Sequence, residues 1–556
     1  MLKLKQLTSK IKLSQCWKRI SAFCSWDWLV LAVIAAFCWW LMASTFGYRD
    51  QTLLIKSRLW SDFAAHLPLI RSFSVGSNLP PEYPQFAGME IRYHYLFYLL
   101  TAGLERLGLN IALALNLLSA FGLGLMLWMV YQLGKLISRK RIVGVLAVML
   151  VLFNSSLTFV DYFQDCSGAA SCFWQLLSLK EFVNFGPWNG DVISAFWNWN
   201  IYTNQRHLGF SFGLLLVIIW PLLRAGYQRL ERLDLKLWLW LVWGGLILLP
   251  FFNQAAYVMA VVFIVMWLIL NPKLIRSLGS LYFFGLLYSL PSFVYFLGFS
   301  SVELELGFLA EADTLMSIGR YWWQNLGAFW LVLPAAIGLS RSQERKLLMI
   351  AAVLFVIANS FRLSPDMINN HKLINFMLII SAPVTAKALV KIWTWSVWSK
   401  LPAVLTVLAL TLSGVVDAMP IINDYQGEVQ DYQQTALGRW VVQNTHPDAV
   451  FLTSYHMYHP ANLAGRKTFL DYGYFAWSLG YPDQERRQVL SEIYAQHTTG
   501  RSWCRLMSGL NIDYLTLTPQ AKGNVQRLTE SWFAREHRPV FAGREHQVYS
   551  AAEICD

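Results

Sequence analysis

The chain has 556 residues, of which 56% are hydrophobic and only 14% charged, with a formal net charge of +12. That balance excludes an ordinary soluble enzyme, and the abundance of Trp, Tyr and Phe is what the interfacial belts of a membrane protein require. The positive charge does not describe a nucleic-acid footprint either. It comes as short Lys/Arg clusters between hydrophobic segments, not as a stripe on a soluble domain.

The first 28 residues carry Lys3, Lys5, Lys10, Lys12, Lys18 and Arg19 and read as a cytoplasmic leader. No small-residue cleavage site follows the first apolar run, so that run, 29–46, is expected to remain as an anchor. Further apolar runs follow at 111–133, 142–160, 207–223, 236–252, 255–270, 279–298, 324–339, 346–360, 373–391 and 400–418. Segment 95–109 is shorter and holds Glu105 and Arg106, so it is expected to dip or lie flat. If it crosses, one more crossing must exist elsewhere, which brackets the bundle at about 11–13 transmembrane helices.

Charge then sets the orientation. With the N-terminus in the cytoplasm, the basic loops 134–141, 224–236, 271–276, 341–346 and 391–400 all fall inside. The acidic loops, with Asp161, Asp165, Glu303, Glu305, Glu311, Asp313 and Asp366, all fall outside. The expected organisation is a leader (1–28), a membrane domain (29–418) and a polar extracytoplasmic tail (419–556). The membrane domain has a first outer loop at 47–110 and a second at 161–206. In the tail, AVFLT (449–453) and YLTLT (514–518) read as strands and DQERRQVLSEIYAQH (483–497) as an amphipathic helix, which makes a small α/β domain. The seven cysteines have no metal-site spacing. Cys166 and Cys172 share the second outer loop and can pair, Cys504 and Cys555 lie in the tail, and free thiols are equally compatible.

The stretch with most chemistry is the first outer loop. A helix drawn from Trp60 puts Trp60, Phe63, Ala64, Leu67 and Ile70 on one stripe. Asp62 and His66, four apart, share the opposite face, so the helix is expected to lie on the membrane surface with its acid turned away from lipid. Other loops on the same side bring Asp161 and Asp165, also four apart, then Arg206, Arg320, Arg362, Asp366, His371 and Lys372. Together they describe a cleft with acids and bases. Each residue alone also fits a structural role: a solvated aspartate, a packing histidine, or a basic side chain snorkelling to headgroups.

The layout resembles the GT-C superfamily of membrane glycosyltransferases. The matching stretches are SDFAAHLPLIRSFSVG with Asp62, PPEYPQFAG followed by YHYLFYLLTAGLERLG, the Asp161/Asp165 pair, NNHKLINFMLII from Asn369, and AGRKTFLDYGYFAWSLGY from Ala464. The resemblance implies a GT-C-like polytopic α-helical membrane protein with a C-terminal extracytoplasmic α/β domain, working in the cell (inner) membrane on the cell envelope. It implies transfer of a sugar from a polyprenyl-phosphate donor to a glycan, lipid or protein acceptor. Asp62 is then the general base, His66 the group that holds its rotamer, and Arg206, Arg320, His371 and Lys372 the contacts to the donor phosphate. No cofactor is certain. A divalent cation, Mg or Mn, shared by Asp62 with Asp161 or Asp165 is compatible with oxygen ligation. LDYGY (470–474) is similar to the WWDYG motif of oligosaccharyltransferase catalytic subunits, but Phe469 and Leu470 replace both tryptophans, so sequon binding is not implied. Two other classes fit the helices: a transporter or flippase of lipid-linked or small polar cargo, and a non-catalytic assembly protein. A transporter commonly shows internal repeats, and this chain has none.

Overall fold

A computed structural model describes residues 25–166, 168–186, 192–228, 235–297, 302–453, 457–494, 501–517 and 536–555. Residues 1–24, most of the expected leader, lie outside the described residues.

In hydrocarbon a backbone must satisfy its own hydrogen bonds, so the apolar runs form helices. Helix α1 (Ser25–Thr45) leads into strands β1 (Phe46–Arg49) and β2 (Thr52–Lys56), then α2 (Trp60–Ser74) and α3 (Leu96–Arg106). Next come α4 (Ile111–Ser138), α5 (Arg141–Leu152), α6 (Thr158–Gln164), α7 (Ala169–Leu177) and α8 (Arg206–Tyr227). Helix α9 runs Leu235–Leu239, passes a π-helical turn at Trp240–Gly244 and resumes over Gly245–Phe252. It is followed by α10 (Gln254–Leu270), α11 (Ile275–Leu297), α12 (Leu315–Leu326), α13 (Ala328–Leu339), α14 (Ser342–Ser360), α15 (His371–Trp393), α16 (Lys400–Ala409) and α17 (Leu412–Ile422). Among the described residues six helices are long and apolar enough to cross a membrane, α16 with α17 counted as one, and shorter apolar helices stand beside them.

Helix α15 is the axis of the bundle: 89% of its apolar window is buried, against 28% for α1 at the periphery. Its first turn holds His371 and Lys372, both buried. Helices α4 and α8 approach closely through small residues. A Cβ on Gly122 would lie 2.5 Å from that of Phe210, and one on Gly209 would lie 2.9 Å from the Cα of Leu123.

Three expectations are corrected. Segment 142–160 is not one span: α5 has 12 residues, about 18 Å at 1.5 Å per residue, and stops at Leu152. Beyond it Ser155 Oγ donates to Ser156 O and Ser156 Oγ to Thr158 Oγ1, local bonds that compete with the helix. Segment 324–339 is broken at Gly327, whose φ of +46° ends α12 and starts α13. The third correction concerns α2, which is no surface helix: every residue from Phe63 to Phe73 is buried. The C-terminal domain covers it, through Tyr458 Oη to Trp60 O and Ser61 Oγ to Tyr472 Oη at 2.7 Å. Helix α3, with 11 residues, does not span. Its Glu105 pairs with Arg71 of α2, and Arg71 also pairs with Asp431 of the tail.

Strand β3 (Gln426–Gln430) completes an antiparallel sheet of order β1-β2-β3, with Leu53 opposite Val429, so the first loop and the tail share one sheet. The tail continues through α18 (Ala436–Asn444), β4 (Val450–Leu452), α19 (Pro460–Leu463), β5 (Lys467–Thr468), α20 (Gly473–Ser478), α21 (Asp483–Tyr494) and α22 (Arg501–Gly509). It ends with β6 (Tyr514–Leu517), β7 (Phe541–Ala542), β8 (Gln547–Ser550) and α23 (Ala551–Cys555). The second sheet has order β5-β4-β6-β8-β7, with β4 parallel to β5 and β6 and β8 antiparallel to β6 and β7. This is the α/β domain that the tail's composition predicts. A disulfide joins Cys504 of α22 to Cys555 of α23, while Cys166 and Cys172 are free thiols.

Candidate active site

Asp62 stands in the first turn of α2, where a carboxylate faces the positive end of the helix dipole. It is only partly exposed, and among the described residues none donates a hydrogen bond to its carboxylate. Burial pushes that carboxyl up to about 6, and the nearby Lys372 ammonium opposes the rise. Tyrosines surround it. Burial first, with the Asp62 charge adding, raises the phenols of Tyr93 and Tyr98 from the first loop and of Tyr458, Tyr472 and Tyr474 from the C-terminal domain. The site is thus built between the membrane helices and the domain that covers them.

Lys372 is the second residue of α15 and is buried; its Nζ donates to Asn369 Oδ1 at 2.9 Å. Asp366, one turn earlier, accepts from Ile368 N at 3.3 Å and from Tyr474 Oη at 2.8 Å, which fastens the domain to the start of α15. Lys372 lines a cavity of about 210 Å³. His94, Asn253 and Asn369 contribute polar groups to this cavity; Val258, Phe293 and Phe296 contribute apolar ones. Asp62 does not line it. Tyr93 and Lys372 do, and both lie within electrostatic reach of the Asp62 carboxylate.

A group of imidazoles lies behind this wall. The His94 and His207 rings are 4.1 Å apart, His66 and His207 are 6.2 Å apart, and Tyr98 Oη is 3.0 Å from His207 Nδ1. Burial, then the Arg206 charge, pushes His66 down to about 3; burial, then Lys372 and His66, holds His94 well below its ordinary value. Both are neutral at pH 7. His66 makes no hydrogen bond to Asp62: its ring packs on Tyr98 at 5.0 Å and its Nδ1 has no partner. The rotamer-holding role expected of it therefore has no contact behind it.

The basic residues separate. Arg206 is fully buried and its guanidinium is occupied: Nε donates to Thr203 O at 2.8 Å, Nη1 to Asn116 Oδ1 at 3.0 Å and Nη2 to Thr45 Oγ1 at 2.7 Å, over the Phe63 ring. It ties α1, α4 and α8 together and has no donor left for a phosphate. His371 is engaged at both ring nitrogens, by Gln205 at 3.1 Å and Asn375 at 2.9 Å. Arg320 is exposed on α12 and does not line the cavity. Of the four expected phosphate contacts only Lys372 faces it. Asp161 Oδ2 accepts from Asn184 Nδ2 at 2.7 Å, and Asp165 is exposed. Among the described residues no group of three or more His, Cys, Asp or Glu side chains is placed to hold a metal ion.

Sequence reasoning missed Asn253 and the three domain tyrosines. Asn253 sits in FFNQAA, an Asn-Gln pair at the junction of two apolar runs; that interruption was the available signal. Tyr472 and Tyr474 belong to LDYGY, a segment read only against another family's motif.

Residues 62–205 match a family described as an uncharacterised membrane protein family, DUF2298. A search of curated proteins finds no match. Among solved structures the chain is similar to ArnT from Cupriavidus metallidurans bound to undecaprenyl phosphate, at 11% identity and a TM-score of 0.47, over 95% of this chain and 98% of that one. It is also similar to the Archaeoglobus fulgidus oligosaccharyltransferase in the apo form, at 13% identity and a TM-score of 0.44, over 89% of this chain and 69% of that one.

Proposed function

We propose that the chain is a membrane glycosyltransferase that moves a sugar from a polyprenyl-phosphate donor to an acceptor hydroxyl on the extracytoplasmic face. One observation carries the reading. A carboxylate without a hydrogen-bond donor, Asp62, lies beside an ammonium, Lys372, next to a cavity lined by both polar and apolar side chains. Such a cavity suits an amphiphile whose anionic head meets Lys372. The acceptor oxygen attacks the anomeric carbon and its proton passes to Asp62, while the bond from that carbon to the phosphate oxygen breaks. The departing lipid phosphate gains negative charge, which the fixed Lys372 ammonium stabilises. A carboxyl near 6 is ionised at neutral pH yet basic enough to take the proton. No step needs a metal.

Two further features support the outer location: the sorting of basic loops to the opposite side, and a disulfide in the C-terminal domain, which suits an oxidising compartment. Trp477 is exposed there, so Trp477→Cys should react with a membrane-impermeant thiol reagent in intact cells. The activity test is sugar release and transfer from a polyprenyl-phosphate sugar by the purified protein. Absence of turnover with every donor tried, together with vectorial movement of lipid in vesicles, would replace this reading with the transport one.

A further inference from the structure

Three buried polar atoms near Lys372 have no partner: His94 Nε2, His207 Nε2 and Asn253 Nδ2. The residues are 6%, 0% and 1% exposed, so bulk water does not reach them freely. Leaving such atoms unpaired costs about 1–3 kcal/mol each, and natural structures rarely do so without a ligand or bound water. The three are not scattered. His94 and Asn253 both line the cavity, and the His207 ring packs 4.1 Å from that of His94. Asn253 is held in place by a separate duty: its Oδ1 caps α10 by accepting from Ala256 N at 3.0 Å, which leaves Nδ2 free of the helix. His207 is held at Nδ1 by Tyr98.

We propose that His94 and Asn253, with His207 packed behind His94, form the subsite for the sugar ring of the donor, and that it takes a hydroxyl-rich sugar without an ammonium group. The proposal rests on the donor reading above and deepens it. An amide N–H can only donate, whereas a neutral imidazole donates at one nitrogen and accepts at the other. A mixed set of this kind matches sugar hydroxyls, which do both; a phosphate only accepts. Charge narrows the choice. Among the described residues lining the cavity there is no carboxylate, while Arg92 and Lys372 are both cations. An ammonium-bearing sugar would meet two like charges, while the nearest carboxylate, Asp62, lies outside the lining.

The test uses the full-length protein in lipid nanodiscs and measures binding of three probes: undecaprenyl phosphate and its neutral hexosyl and amino-hexosyl derivatives. The wild type should bind the neutral hexosyl lipid roughly tenfold or more tighter than the bare lipid phosphate, and the amino-hexosyl lipid more weakly than the neutral one. Asn253→Asp keeps the cap acceptor and removes the free donor. Its added charge should weaken binding of bare undecaprenyl phosphate, so the readout is the ratio to the bare lipid: the hexosyl preference should be lost and the amino-hexosyl ratio should rise. His94→Gln, with unchanged thermal stability, should weaken hexosyl binding without changing bare-lipid binding. A hexosyl preference that survives in both variants, or an amino-hexose bound as tightly as the neutral one by wild type, overturns the proposal while leaving the donor reading intact. Loss of hexosyl preference in the wild type itself shows that the unpaired atoms only hold water. Failure of bare undecaprenyl phosphate to bind removes the donor reading and this inference with it.

Discussion

Two carboxylates on the helices that the apolar runs and first loop form, Asp62 and Asp417, have different surroundings. Asp417 in α17 is fully buried, and its Oδ2 accepts from Ser194 Oγ at 2.5 Å and from Asn198 Nδ2 at 2.8 Å. From Ser194 the bonds continue through Ser156, Thr158 and Asn184 to Asp161, a polar chain that fastens the second loop to the last membrane helix. Asp62 receives no such bond; it has a nearby ammonium and a ring of tyrosines. The cations repeat the contrast: Arg206 has used its guanidinium on three helices, while Lys372 has one protein partner and a cavity in front of it. Arg206 and, through Oδ2, Asp417 are held by donors and acceptors of the fold, although Asp417 Oδ1 has no partner. A charged group left with capacity beside a cavity is available to a ligand.

The sharpest way to break this contrast is to neutralise both acids. Asp62→Asn should lower glycosyl transfer by about 10²–10⁴-fold, the usual share of a general base, with donor binding and melting temperature close to wild type. Asp417→Asn should do the reverse: retained transfer per folded molecule, and a stability loss of about 1–3 kcal/mol as Ser194 and Asn198 lose a charged acceptor. Equal loss of folded protein in both variants would make Asp62 a structural aspartate and return the base to Asp161 or Asp165.

The cations give the next effect. Lys372→Met should cost roughly 10- to 100-fold in transfer and weaken lipid-phosphate binding, while Arg206→Met should mainly unfold the chain. The pH profile separates the two further. Transfer by wild type should rise through about pH 6 as Asp62 ionises, and Lys372→Met should move that midpoint upward, because it removes the charge that opposes the rise. Stability runs the other way. The folded value of Asp62 lies above the ordinary 3.8, so its contribution is fully present below 3.8 and is lost as pH rises through about 6. Asp62→Asn should flatten that part of the stability curve.

Much of this contrast was legible in the sequence, and the illegible part has physical causes. Apolar runs placed the membrane helices because hydrocarbon leaves the backbone no other choice; Lys372 stood out as a charge at the start of such a run, and Asp62 as the acid of an amphipathic stretch in the first outer loop. The break after Leu152 was hidden because Ser155 and Ser156 look like any small residues within an apolar stretch; only their local bonds show why the helix stops. The wet face predicted for α2 failed for a different reason. Amphipathicity shows that a helix has a polar side, not whether water or a second domain meets it, and Tyr458 and Tyr472 arrive from about four hundred residues away. Arg206 misled for the same reason. Its partners Thr45 and Asn116 sit on other helices, and nothing local distinguishes a guanidinium that binds phosphate from one that ties helices together.

The smallest expected effect is at Arg320. The sequence places it with Arg206 and Lys372 on one side of the membrane, and the three were expected to converge on one phosphate. In the fold α12 buries Tyr321, Trp322, Asn325 and Leu326 and leaves Arg320 on its exposed face, with no ion pair or hydrogen bond among the described residues. An exposed charge without a partner contributes little to stability, so Arg320→Ala should change it by no more than about 0.5 kcal/mol. Transfer and undecaprenyl phosphate binding should change less than about twofold, because a solvated charge outside the cavity is screened within a Debye length of roughly 8 Å at physiological salt. The measurement is donor binding by Arg320→Ala and Lys372→Met in parallel, at low and at physiological salt. If Arg320→Ala weakens binding as much as Lys372→Met does, and does so at both salt concentrations, then α12 must close over the donor and bring Arg320 to the phosphate. The site would then have two bound cations in the loaded state, and the contrast between occupied and available charges would hold only for the empty protein.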